Sequence, residues 1–120
     1  LSYPLGGKYG VPHGLANTLM LPAVMIFNLH ASLEKFAVIA QIMGEPVGGL
    51  STREAASLAL GAVKTLIRDC GLHTTLKDLD IPEKDFPELA GLAMTVARPL
   101  ENNPRKVTLE DAIKIYGQAY

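Results

Sequence analysis

Ser51-Thr-Arg-Glu-Ala-Ala-Ser-Leu-Ala-Leu-Gly-Ala-Val-Lys-Thr-Leu-Ile-Arg-Asp-Cys-Gly71 decides the fold class of this 120-residue chain. Ser51 and Glu54 have the spacing of a capping box, in which each side chain bonds the other residue's backbone amide at a helix start. Ala55, Leu58, Ala59, Ala62, Val63, Leu66 and Ile67 then recur at three-four spacing, and Gly71 is placed to end the helix. Nothing elsewhere alternates with period two for long enough to make a strand. The pattern predicts an all-α fold, a single helical domain of five or six helices.

The other helices are read outward from this one. Leu15 to Leu29 is apolar on all sides, which predicts a helix enclosed by neighbours, with a kink or break at Pro22. It is shorter than the ~20 residues of a membrane span. Ser32 is placed to cap a helix carrying Phe36, Ile39, Ala40 and Met43 on one face and closed by Gly44, with a loop following over 44–49. Thr75 to Leu79 makes a turn at most, and Ile81-Pro82 begins a linker. Asp85-Phe-Pro-Glu88 repeats the start signal, with Leu89, Leu92, Ala93 and Val96 as the buried stripe. Arg98 to Lys106 reads as irregular. Thr108-Leu-Glu-Asp111 caps the last helix, whose Leu109, Ala112, Ile113 and Tyr116 face inward.

Composition narrows the function classes. The chain is 48% apolar and 19% charged, with a formal net charge of -1, which suits one globular domain and offers no basic run for nucleic acid. A single cysteine, Cys70, excludes an internal disulfide, fits a reducing compartment such as the cytoplasm, and reads as structurally buried. No signal peptide is visible, and the opening Leu1-Ser2-Tyr3 reads as the middle of a longer protein. A domain cut from a larger subunit is expected to expose an apolar patch, nearest Leu1 to Val11, and to self-associate.

The candidate chemistry lies at the other end of the chain. Tyr3-Pro-Leu-Gly-Gly-Lys-Tyr-Gly-Val-Pro-His-Gly14 reads as a glycine-rich connection delivering His13 to the mouth of the apolar helix. A neutral imidazole in that position suits a metal or substrate. A catalytic metal wants about three protein ligands, however, and His30 and His73 stand at no ligand spacing from His13. Gly6 to Gly10 lacks the Gly-Lys-Ser/Thr ending of a P-loop, and His73 reads as a solvated loop residue. No nucleophile–histidine arrangement can be argued from spacing.

These same residues resemble the second signature of the iron-containing (group III) alcohol dehydrogenase family. The likeness runs from Tyr3-Pro-Leu-Gly-Gly7 and Pro12-His13-Gly14 through Ala16-Asn17, Pro22 and Phe27-Asn28. It continues in Gly71-Leu72, Asp78-Leu79 and Ile81-Pro82, and closes with Asn103-Pro104-Arg105 and Thr108 to Asp111. The resemblance implies a longer subunit, with an α/β domain for NAD or NADP ahead of a helical domain that carries a divalent metal, Fe or alternatively Zn. In the family that metal is held by one aspartate and three histidines, the last histidine being that of Pro-His-Gly. His13 would therefore be a metal ligand, with the others before Leu1. Part of the family has a proton-moving histidine at the position of Tyr3, so Tyr3 would line the catalytic pocket instead, near Arg98 to Leu100.

The implied activity is interconversion of a small alcohol and its aldehyde or ketone, by a homo-oligomer without membrane or nucleic-acid partners. The 120 residues are expected to be inactive alone. The alternatives are a non-catalytic helical binding or assembly module and a zinc polyol dehydrogenase-like relative.

Overall fold

A computed structural model describes residues 1–120 and contains no strand. Seven α-helices follow in order: α1 (Tyr3–Tyr9), α2 (His13–Asn28), α3 (Leu33–Ile42), α4 (Thr52–Asp69), α5 (Phe86–Met94), α6 (Ala97–Glu101) and α7 (Leu109–Gln118). Short 3-10 turns stand at Leu29–Ala31 and Glu83–Asp85. The all-α expectation holds. The count exceeds the expected five or six because α1 and α6 form where the sequence suggests a glycine-rich connection and an irregular stretch.

Two capping boxes are as the sequence predicts. At α4 the Ser51 backbone amide donates to Glu54 Oε2 at 2.9 Å, and the Glu54 amide donates to Ser51 Oγ at 3.3 Å. At α7 the Thr108 amide donates to Asp111 Oδ2 at 3.1 Å, with the return bond to Thr108 Oγ1 at 3.2 Å. Thr75 and Asp78 make the same pair of bonds around a single turn, at 2.8 and 3.2 Å. That turn seats Leu76 and Ile81 in the core, and the Leu76 amide donates to the Ala119 carbonyl at 2.9 Å.

Ser32 and Asp85 occupy N-cap positions, but neither side chain caps its helix. Helix α2 runs unbroken through Pro22, although the ring removes the amide that would bond the Thr18 carbonyl. Nor is α2 enclosed all round, since Leu21 and Ile26 are exposed. The 19 residues His13–Ala31 are long and apolar enough to cross a bilayer by length and composition, contrary to the expectation. In the fold this helix packs on α1, α4 and α7.

The buried side chains form two clusters. The larger joins Leu5, Leu19, Met20, Leu76, Ile81, Phe86, Leu89 and Tyr116, among others, where α1, α2, α5 and α7 meet. Tyr116 is fully buried, stacks on Phe86 with ring centroids 6.1 Å apart, and donates its hydroxyl to the Leu1 carbonyl at 2.6 Å. Burial raises its pKa above the usual tyrosine value. The smaller cluster is alanine-rich: Met25, Phe36, Ala40, Ala56 and Ala59, between α2 and the α3–α4 hairpin.

Several expected inward residues face solvent instead. Leu66 is 54% exposed, Leu92 45% and Leu109 48%, and Cys70 is exposed rather than buried. Helix α4 buries only Ala55, Ala56 and Ala59, so Leu66 and Cys70 lie beyond its covered turns, whereas Leu92 sits between buried Ala90 and Ala93 and faces the groove beside Tyr3. Between 1 and 11, Leu5 and Val11 are buried, and Tyr3 is the one large apolar side chain strongly exposed. Exposed apolar surface instead concentrates on α3, at Val38, Ile39 and Ile42.

A buried amide pair joins the later chain to the end of α2. Asn28, the one buried polar side chain, donates to Asn103 Oδ1 at 2.8 Å and accepts from Asn103 Nδ2 at 2.9 Å. Arg105 completes the attachment, its guanidinium 4.1 Å from the Phe27 ring centroid and donating to the Phe27 carbonyl at 3.2 Å. A cation at the C-terminus of a helix meets the negative end of its dipole.

Ser51→Ala removes one half of the α4 cap while leaving the buried Ala55, Ala56 and Ala59 in place. Thermal or urea denaturation should show a loss of about 1 kcal/mol. An unchanged midpoint would mean that the box contributes nothing measurable.

Candidate functional site

His13 is the first residue of α2 and is exposed, with Pro12 at the N-cap. Its position is set by a tight corner. Gly10 ends α1 with φ 67°, a left-handed conformation that glycine adopts without a Cβ clash, and its amide donates to the Gly6 carbonyl at 3.0 Å. The Val11 amide donates to the Leu5 carbonyl at 3.2 Å, and Val11 and Leu5 are both buried. Pro12 then accepts from the Ala16 amide at 2.9 Å, opening the first turn of α2. The expected glycine-rich connection is thus a helix and a corner, which holds His13 more rigidly than a loop would.

Two side chains touch the imidazole. The Tyr3 ring, at the start of α1, lies 5.5 Å from the His13 ring, centroid to centroid, tilted by 32°. Asn17, one turn along α2, places Nδ2 3.0 Å from His13 Nε2. The two side chains form one exposed polar contact at the start of α2.

Tyr3 is 55% exposed and stands between two openings. A groove of about 450 Å³ runs past Tyr3, Gly7 and Lys8 on α1 to Glu88 and Leu92 on α5. A small crevice on its other side is lined by Leu1, Pro4, Ala93, Val96, Pro99 and Leu100. Of the expected pocket border 98–100, Pro99 and Leu100 therefore do come beside Tyr3.

A polar clasp fixes α1 to α5. The Tyr9 hydroxyl donates to Asp85, and Lys8 Nζ bridges Asp85 Oδ2 at 3.3 Å and Glu88 Oε2 at 2.5 Å. Burial foremost, and the bond to Asp85 after it, raise the Tyr9 pKa; the Glu88 contact foremost raises that of Lys8. The Tyr9 bond, then Lys8, holds the Asp85 carboxyl below the usual carboxylate range. The local pattern marks Asp85 as a helix cap and gives no sign of this role, because its partners lie 76 residues and more away.

No group of three or more His, Cys, Asp and Glu side chains converges anywhere in the chain. His30 sits in the turn after α2, and His73 lines a separate groove of about 320 Å³ with Lys64 and Arg68. The donor set near His13 therefore fits one ligand position of a metal and not a whole coordination shell.

The profile of the Fe-containing alcohol dehydrogenase family, C-terminal, matches residues 1–120. The chain is 43% identical, over all its 120 residues, to 1,3-propanediol dehydrogenase of Citrobacter freundii and 40% identical to lactaldehyde reductase of Escherichia coli K12. It spans 31% of the length of each. A solved structure of 1,3-propanediol oxidoreductase superposes with a TM-score of 0.95 at 43% identity, covering 99% of this chain and 31% of that one.

The clasp has a pH signature. Asp85 has a folded pKa below its unfolded value of about 3.9, so its contribution is complete above that value and is lost as pH falls through the folded pKa. Asp85→Asn should lower stability at pH 7 and make its decline toward pH 3 shallower in urea denaturation. Glu54, Asp78 and Asp111 are lowered by their caps and keep part of the acid dependence. A variant as steep as the original would show that Asp85 carries none of it.

Proposed function

The chain belongs to the Fe-containing alcohol dehydrogenase family, matching its C-terminal part, and on that premise we propose that it is the metal-bearing helical portion of an NAD- or NADP-dependent dehydrogenase. The parent enzyme interconverts a small alcohol and its aldehyde or ketone, and works in the cytoplasm as a homo-oligomer. The observation that carries the reading is His13: an exposed imidazole at a fixed helix start, with the Tyr3 ring and the Asn17 amide beside it.

In this reading His13 supplies one ligand, and the remaining ligands and the nicotinamide site come from outside these 120 residues. When bound, the divalent metal supplies Lewis acidity at the alcohol oxygen, which eases hydride loss to the nicotinamide. The chain's own part is positioning. Helix α2 holds His13 and the α1–α5 clasp holds Tyr3 beside it; the crevice that Tyr3 shares with Pro99 and Leu100 supports reading them as an apolar wall of the alcohol pocket. Tyr3 lines the pocket in place of a proton-moving histidine. Iron is the metal proposed, and zinc suits the imidazole equally.

His13→Ala in the parent enzyme should remove most bound metal and most alcohol-dependent reduction of NAD or NADP, because few ligands share the ion. Elemental analysis and a steady-state assay test this together. Full metal content with full activity would refute His13 as a ligand. The isolated 120 residues should bind neither Fe nor Zn tightly, since one imidazole competes poorly with water.

A further inference from the structure

We propose that the groove between α2, α4 and α7 is a binding site for a small organic anion, with a carboxylate or phosphate head on an apolar body. The site is independent of the reading of His13 as a ligand. The groove encloses about 320 Å³, room for a small molecule. Leu19 and Ala23 of α2, Ile67 of α4 and Ala119 at the end of α7 give it an apolar floor. Lys64 and Arg68 of α4 and His73 from the stretch after α4 stand along it, and no aspartate or glutamate lines it.

These cations have no partner inside the chain. Both ion pairs of the fold belong to Lys8, so no carboxylate stands at ion-pair distance from Lys64 or Arg68. Arg68 reaches only the Thr65 hydroxyl, at 3.4 Å. Asp78 spends its carboxylate on the Thr75 amide and hydroxyl, at 2.8 and 2.9 Å. Lys64 and Arg68 are one turn apart on α4, where like charges repel. The helix dipole offsets this for Arg68 in the last turn and fades before Lys64. An anion held between them relieves the repulsion, and a guanidinium matches a carboxylate or phosphate with two parallel N–H bonds. His73 offers a ring N–H in either neutral tautomer.

The walls are fixed before any ligand arrives. Gly71, at φ 68°, turns the chain back from the end of α4. The Leu76 amide then bonds the Ala119 carbonyl at 2.9 Å and holds this stretch against the end of α7. Tyr120 also lines the groove, with Lys77 Nζ 5.8 Å from its ring centroid. A bare inorganic ion would leave the apolar floor wet, and a neutral apolar molecule would leave the cations unpaired. A ligand with both parts answers both.

The test titrates the parent enzyme by calorimetry with benzoate and, separately, with phenyl phosphate. Acetate and inorganic phosphate lack the apolar body, and benzamide lacks the charge. One site per subunit is expected for at least one aromatic anion, and the tighter of the two identifies the head. The three controls should each bind about tenfold more weakly, or worse. Lys64→Gln together with Arg68→Gln should weaken the aromatic anion about tenfold or more, with the circular dichroism of the helices unchanged. Binding should persist in His13→Ala, which separates the groove from the metal centre. No site for either aromatic anion, or equal affinity for benzamide, acetate or inorganic phosphate, would overturn the proposal. So would unchanged binding in the double variant, and loss of binding in His13→Ala would move the anion to the metal instead.

Discussion

A helix that is apolar on more than one face cannot be satisfied by one partner, and α2 imposes that constraint on the whole chain. Its Leu19 and Met20 enter the larger cluster, while Met25 enters the smaller one. Five of the other six helices are arranged so that one of these surfaces is covered. Helices α1 and α7 lie along the first, α5 buttresses both of them, and the α3–α4 hairpin covers the second. His13 stands at the free end of this shared element. Its backbone is therefore fixed by packing that it takes no part in.

The polar contacts close the gaps that apolar packing leaves. Helix α1 is only seven residues long and too short to persist alone in water. It is held by buried Pro4 and Leu5 on one side and by the Tyr9–Asp85–Lys8 clasp on the other. At the far end, the Asn28–Asn103 pair does the same for a stretch with two prolines. A buried amide is costly unless bonded, and each asparagine here satisfies the other.

What could be read from the sequence was local. The boxes at Ser51 and Thr108 involve residues three apart, and both were legible because no distant group competes for them. Asp85 has the same local pattern, but Tyr9 and Lys8 take its carboxylate, and nothing near Asp85 announces that. Leu66 fits its stripe, yet periodicity reports a direction and not how far the covered part of α4 reaches. The glycines between Tyr3 and Gly10 suggested a connection, and tertiary packing turned most of it into α1. His13 was legible as a candidate from its Pro-His-Gly setting. Its contact with Asn17 was not, because the apolar run begins at Leu15, whereas α2 starts at His13 and puts the two side chains one turn apart.

The division of the core also separates motions. The smaller cluster rests on alanines, which contribute little area each, so the α3–α4 hairpin can open at lower cost than the rest. Such an opening would bare Met25 and the late turns of α2 but leave Leu19, Met20 and the corner at Gly10 packed. The hairpin can then breathe as its own cooperative unit, with its amides exchanging sooner, while the His13 end of the same helix stays mechanically still.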